Sequence, residues 1–227
     1  MVKIPEACLD PISVLASIGK LFKFKIVPTN YTDSAGNTNW QASHVNGGGT
    51  VYSAVIFCNT SVTANSRGLL FHYANGLNSG DRGQNQCDYS KKLEWNFTVN
   101  RDYSDAQVIA RMQLKQVNTE GDLANVGLGL RIDNFVLTGE AYGTARQAIN
   151  LGVSLTTNYR VRVKIIHIPG VRVEFWVNGV LRGTLTGTAV PFGVLADTYW
   201  VESIINGATG AVNAYIGVGD MLIIQEH

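Results

Sequence analysis

The chain has 227 residues, 45% of them hydrophobic and 15% charged, with a formal net charge of +1. That charged share is well below the roughly 25% of an ordinary soluble protein, and the near-neutral balance excludes electrostatic steering to nucleic acid or to an anionic membrane. Glycine is frequent (24 residues) and proline scarce (5), which suits a sheet protein with many turns and a length that fits one all-β domain.

Residues 1–20 differ from the rest and read as an arm or short helix ahead of a single sandwich domain over residues 21–227. Ala7 to Ile18 is amphipathic, with Asp10 as N-cap and Pro11 in the first turn. The opening segment MVKIPEACLDPISVLASIGKLFKF lacks a basic stretch followed by a long apolar run, so no secretory leader is expected. No run approaches the ~18 apolar residues of a membrane span. Location stays open, with a virion or the cytoplasm both compatible.

Strand signals begin at Leu21–Val27, where Lys23 and Lys25 share a face. A polar loop over residues 28–39 leads to Trp40, which reads as a loop-borne aromatic. Gly47-Gly48-Gly49 punctuates before a strand expected over Val51–Cys58, and Gly68–Tyr73 follows. Residues 75–89 form a long loop. Leu93–Val99 alternates cleanly, with Leu93, Trp95, Phe97 and Val99 inward. Gln107–Gln116 and Val126–Asp133 alternate as well. If these two are neighbours, Arg111, Gln113, Arg131 and Asp133 form a polar patch on one sheet face. Residues 134–158 are weaker, with Phe135–Leu137 and Ala148–Val153 as short strands. Tyr199–Ile205 and Val212–Gln225 close the set. The connections are too short for helical crossovers, so the sheets are expected to be antiparallel and stacked in two layers.

Tyr159–Leu181, YRVRVKIIHIPGVRVEFWVNGVL, is the most informative stretch. Val161, Val163, Ile165 and His167 share one face, and Arg160, Arg162 and Lys164 the other. Val171, Val173, Phe175 and Val177 oppose Arg172, Glu174, Trp176 and Asn178. The apolar faces coincide if an odd number of residues forms the loop. A loop of Ile168-Pro169-Gly170 sets Lys164 opposite Glu174 and Arg162 opposite Trp176. Asn178-Gly179 marks a second turn. The basic stripe is read as a solvated face, with an acidic-glycan site as the alternative.

The run from Tyr159 to Leu185, together with LEWNFTV at residues 93–99 and AVNAYIGVGDMLIIQE at residues 211–226, resembles concanavalin A-like lectin/glucanase domains. The resemblance covers roughly residues 90–225. It implies an all-β, two-sheet antiparallel jelly-roll sandwich with one curved sheet whose concave face often holds glycan. The acidic E-x-D-x-x-E strand of the glucanases has no counterpart: Asp102 and Asp105 fall in a polar turn, and Glu140, Glu174 and Glu202 each stand alone. The motifs of alginate-lyase relatives and the metal loop of legume lectins are also missing.

Other chemistry is sparse. Cys8, Cys58 and Cys87 are too few for a disulfide framework, and a Cys58–Cys87 bond stays open. The histidines His44, His72, His167 and His227 have no metal spacing, and nothing calls for a cofactor. His167 reads as a hydrogen-bonded strand-end residue. Gly127 and Gly129 share a face, marking either close packing or room for a ligand. Trp95 has core parity and Trp176 outward parity; the face of Trp200 beside Glu202 stays unassigned.

The leading expectation is a non-catalytic, lectin-like sandwich that binds carbohydrate or acts as an interaction module. Its candidate contact residues are Trp40, Arg111, Gln113, Arg131, Asp133 and Trp176, which combine aromatic surface for sugar C–H faces with groups for hydroxyls. A structural virion component forming homo-oligomers is the first alternative. A glycoside hydrolase or polysaccharide lyase with an atypical site is the second. A glycan and a second copy of the chain are the partners to look for, with nucleic acid and membrane not expected.

Overall fold

The computed structural model describes residues 21–25, 40–45, 47–52, 55–60, 64–73, 87–117, 119, 121–155, 159–195, 198–207 and 214–226. The helix or arm expected over residues 1–20 lies outside the described residues, as does most of the long loop at 75–89. The strands are β1 (Leu21–Lys25), β2 (Trp40–Val45), β3 (Gly47–Tyr52), β4 (Val55–Thr60), β5 (Arg67–Tyr73), β6 (Leu93–Asp102), β7 (Ile109–Lys115) and β8 (Gly127–Asp133). They continue as β9 (Val136–Tyr142), β10 (Arg146–Ser154), β11 (Tyr159–Ile168), β12 (Arg172–Val177), β13 (Val180–Thr186), β14 (Tyr199–Ile205) and β15 (Tyr215–Glu226).

They form two antiparallel sheets. The larger runs β13-β12-β11-β6-β15-β4-β3, and β1 pairs with the far half of β15, end to end with β4. The second runs β10-β9-β8-β7-β14-β5-β2. The inner faces enclose one core: Trp95, Phe97, Val163, Ile165, Phe175 and Ile223 from the larger sheet meet Met112, Leu114, Leu128, Leu130, Leu137 and Trp200 from the second. Strand alternation produces this directly, because every second side chain leaves water. Each large apolar side chain so buried contributes about 1.5–3 kcal/mol of transfer free energy.

The β11–β12 hairpin keeps the expected parity but shifts its register. Val163 pairs with Val177 and Ile165 with Phe175, so the apolar faces coincide. The loop, however, is Pro169-Gly170-Val171, and Ile168 pairs with Arg172. Lys164 therefore stands opposite Trp176, and Ile166 opposite Glu174. The cause is the turn. Val171 N–H donates to Ile168 O, which makes Pro169 and Gly170 the two central residues of a tight turn. Proline supplies the negative φ at the first position and Gly170 (φ 64°) the positive φ at the second. Ile168 is thereby kept in the strand. Asn178 and Gly179, both at positive φ, close the β12–β13 turn as expected.

Two stretches depart from the sequence reading. The expected strand Val51–Cys58 is a hairpin of β3 and β4, in which Tyr52 pairs with Val55 and the three glycines belong to β3. Residues 134–158, read as weak, hold two full strands, β9 and β10. Gly139 occupies a core position of β9 where a larger apolar residue would have signalled alternation.

Candidate functional site

The outer faces of the two sheets carry two different polar arrangements. On the second sheet, β7 and β8 are neighbours and place Arg111 opposite Arg131 and Gln113 opposite Gly129. Gly127 and Gly129 serve close packing: a Cβ on Gly129 would come within 2.3 Å of Met112 O, and one on Gly127 within 2.7 Å of Leu114 O. The four expected residues Arg111, Gln113, Arg131 and Asp133 thus come together, joined by three that the sequence did not single out as a group, Asp122, Glu140 and Arg146.

The buried Glu140 accepts from Gln113 Nε2 (2.7 Å) and from Arg146 Nη2 (2.8 Å). Asp122, in the β7–β8 loop, meets Arg111 at 2.9 Å, Arg146 at 2.9 Å and Arg131 at 3.8 Å. Partial burial raises the Asp122 pKa, but the arginines, Arg111 foremost, outweigh it and hold the carboxyl below its usual range. Arg131 also pairs with Asp133, and Gln113 donates to Gly121 O (3.1 Å). Three arginines and three carboxylates therefore balance, and the network clamps the β7–β8 loop over the sheet. Asp122 carries no periodicity, so no strand pattern could have revealed it.

On the larger sheet, β6, β11 and β12 line a groove of about 870 Å³. Its walls include Asn96, Thr98, Arg162, Lys164, Trp176 and Asn178. The half-buried Trp176 donates its indole N–H to Glu174 Oε2 (3.0 Å), which fixes the ring, and Lys164 Nζ lies 4.9 Å from the ring centroid. Glu174 accepts from Arg172 at 2.6 Å; Arg172 first, with smaller contributions from Trp176 and Lys164, holds its carboxyl below the usual range against partial desolvation. Asn178, which lines the groove, accepts at Oδ1 from Arg162 backbone N–H (2.9 Å). Asn96 Nδ2 donates to Glu94 Oε1 (2.8 Å), leaving its carbonyl oxygen. Beside this floor, Gly217 and Gly219 of β15 pair with Asn100 and Thr98 and add no side chains.

The six expected residues therefore do not form one site. Trp176 lies on the larger sheet, and the Arg111 group on the second. Trp40 begins β2, paired with His72 at the far edge of the second sheet, and does not sit in a loop; its side chain lies outside the described residues. His167 is buried, with Nε2 2.9 Å from Pro191 O and Nδ1 3.2 Å from Lys91 O, as a strand-end histidine should be. Cys87 is a free buried thiol, so the Cys58–Cys87 bond is not formed; burial, the dominant cause, pushes its pKa up to about 12. Among the described residues no group of His, Cys, Asp and Glu could hold a metal ion, and no helix is long and apolar enough to cross a membrane.

No protein-family model matches the chain, and no curated protein matches it in sequence. Solved structures do. The carbohydrate recognition domain of Emp47p superposes with a TM-score of 0.54 at 13% identity, covering 92% of this chain and 97% of that domain. Botulinum neurotoxin type C, whose cell entry depends on interaction with two ganglioside molecules, gives 0.56 at 13% identity over 92% of this chain and 49% of its own. A sialidase gives 0.55 at 10% identity, covering 87% of this chain and 18% of its own. The chain thus spans about half the length of the toxin structure and a fifth of the sialidase. These likenesses and the two-sheet topology establish a concanavalin A-like jelly-roll fold.

Proposed function

We propose that this chain is a carbohydrate-binding β-sandwich and that the groove over β6, β11 and β12 is its binding face. The observation that carries the proposal is the fixed, half-exposed Trp176 beside the amides of Asn96 and Asn178 and the hydroxyl of Thr98, all on one open sheet face. Sugar rings need this combination, an aromatic surface for C–H groups and short planar amides for hydroxyls. The neighbours in fold include a carbohydrate recognition domain and a toxin dependent on gangliosides.

The groove chemistry favours binding over hydrolysis. Glu94 and Glu174 both stand level with Ile166, two strand spacings or roughly 10 Å apart. A general acid needs a raised pKa, whereas Glu174 is held low, with both oxygens engaged. Calorimetric titration against a panel of polysaccharides tests the proposal. Micromolar to millimolar binding that is weakened in Trp176→Ala is expected; the absence of binding to every glycan would end the reading.

Self-association is a second reading, supported by the edge strand β13 and the turn beside it, where Val171, Val180 and Leu181 are exposed. Light scattering at micromolar concentration would show a dimer or larger species, and a strict monomer would count against it.

A further inference from the structure

We infer that the ligand of the groove is an acidic glycan, one carrying carboxylates or sulfates, with Arg162 as the anion-binding residue. This rests on the carbohydrate-binding reading and names the class of sugar.

The inference starts from where charge is left over. Strand β11 projects Arg160, Arg162 and Lys164 from one face at every second position, about 7 Å apart. Each has different neighbours. Lys164 lies between Asn96 and Trp176, and its ammonium is held over the indole. Arg160 stands opposite Asn100 and reaches the Thr98 hydroxyl at 3.5 Å, with Asp102 a diagonal step away. Arg162 is exposed between Thr98 and, across the turn, Asn178, both neutral.

The carboxylates of β6 and β12 on this face stand four residues along from the partners of Arg162, Asp102 on the Arg160 side and Glu94 and Glu174 beyond Lys164, and the latter two are already in use. Glu94 accepts from Asn96, and Glu174 from Arg172 and Trp176. Among the described residues the Arg162 guanidinium has no ion-pair partner. The other sheet shows how differently the same chain treats arginine where its role is structural: Arg111, Arg131 and Arg146 are matched by Asp122, Asp133 and Glu140. A guanidinium without an ion-pair partner among the described residues, in a groove whose walls also carry Lys164, Trp176, two amides and a Glu94 already engaged by Asn96, is set to receive an anion from outside. Its planar fork suits a carboxylate or sulfate, taken through two parallel N–H bonds.

Nucleic acid is the competing polyanion. It is disfavoured because three cations on a chain of net charge +1 are too few for a phosphate track. The short amides flanking Arg162 are suited to sugar hydroxyls.

The test titrates the full chain with polygalacturonate, a sulfated glycan such as heparin, a neutral β-glucan, and single-stranded DNA, at low and high salt. Polygalacturonate or heparin should bind tightest and weaken with salt. Arg162→Gln should lose about tenfold of that affinity, Arg162→Lys should recover part of it, and circular dichroism should be unchanged in both. A neutral glucan bound as well as the acidic glycans, with Arg162→Gln indistinguishable from wild type, would overturn the inference and leave the carbohydrate reading standing. DNA bound as tightly as the acidic glycans would also overturn it. Failure to bind any glycan would sink both.

Discussion

Phe175 of β12 lies face-on against Gly139 of β9, across the interface between the two sheets: a Cβ placed on Gly139 would come within 2.7 Å of the Phe175 ring. The contact sets the local spacing of the layers beneath Trp176, the next residue on β12. Gly139→Ala should cost about 1–3 kcal/mol through overpacking, because the fully buried ring has no room to retreat. Combining it with Phe175→Leu should restore part of the loss. Urea unfolding of the two single variants and the double variant measures the coupling; additive losses would show that the contact is slack.

The same pair shows what the sequence could and could not reveal. Phe175 belongs to the alternation Arg172–Val177, so its inward face was legible without coordinates. Gly139 lies in Thr138-Gly139-Glu140, where the inward residue has no side chain and the outward one is fully buried. The empty inward position hides the alternation, so the sequence reading reaches only the first residues of β9, within the short strand expected over Phe135–Leu137. The single strand expected over Val51–Cys58 fails for a related reason, since a β-rich run conceals the division into β3, ending at Tyr52, and β4, beginning at Val55. The groove was half legible. Outward parity identified Trp176 and the basic stripe, but pairing Trp176 with Lys164 rather than Arg162 depended on where Pro169 sits in a turn. The clamp through Asp122 was invisible because it joins a loop to residues of three strands.

Two buried groups give stability opposite dependences on pH. Glu202 points into the core between Met112 and Leu70, its carboxyl oxygens without a hydrogen-bond partner among the described residues, and burial raises its pKa well above the usual carboxylate range. The folded chain therefore keeps a proton that the unfolded chain releases above about pH 4.3, and stability falls by about 1.4 kcal/mol per pH unit until the folded value is reached. Glu202→Gln should flatten this decline. Its melting temperature at pH 8 should exceed wild type by about 2–4 °C for each kcal/mol recovered. An unchanged slope between pH 5 and 8 would show that the carboxylate finds a counter-charge.

His167 acts in the other direction. Burial lowers its pKa, outweighing the two carbonyls of Pro191 and Lys91 that draw it upward. The unfolded chain takes up a proton below about pH 6.5 that the folded chain resists, so stability is lost as pH falls through that range. His167→Gln should remove this acid slope and lose about 1–3 kcal/mol at pH 7 through the bonds to the flanking loops. Urea midpoints from pH 4 to 7 would separate the two effects.

Arg101 provides a test of strain against stacking. It is buried at the end of β6, its guanidinium 4.4 Å from the rings of both Tyr103 and Phe135. Phe135 holds its ring there from a left-handed backbone conformation (φ 62°) in the β8–β9 turn, beside Asn134 (φ 47°). A bulky residue in this region costs about 1 kcal/mol or more that glycine avoids. Phe135→Gly would relieve that cost and remove one of two aromatic faces from a desolvated cation, a contact of about 2 kcal/mol, together with the ring's buried area. A net destabilisation is expected. Asn134→Gly relieves strain without touching Arg101 and should be neutral or stabilising by a few tenths of a kcal/mol. Thermal unfolding that ranks Asn134→Gly above wild type and Phe135→Gly below it would show that the turn is held in its strained form by Arg101; the reverse order for Phe135→Gly would show that the stack contributes less than the strain it requires.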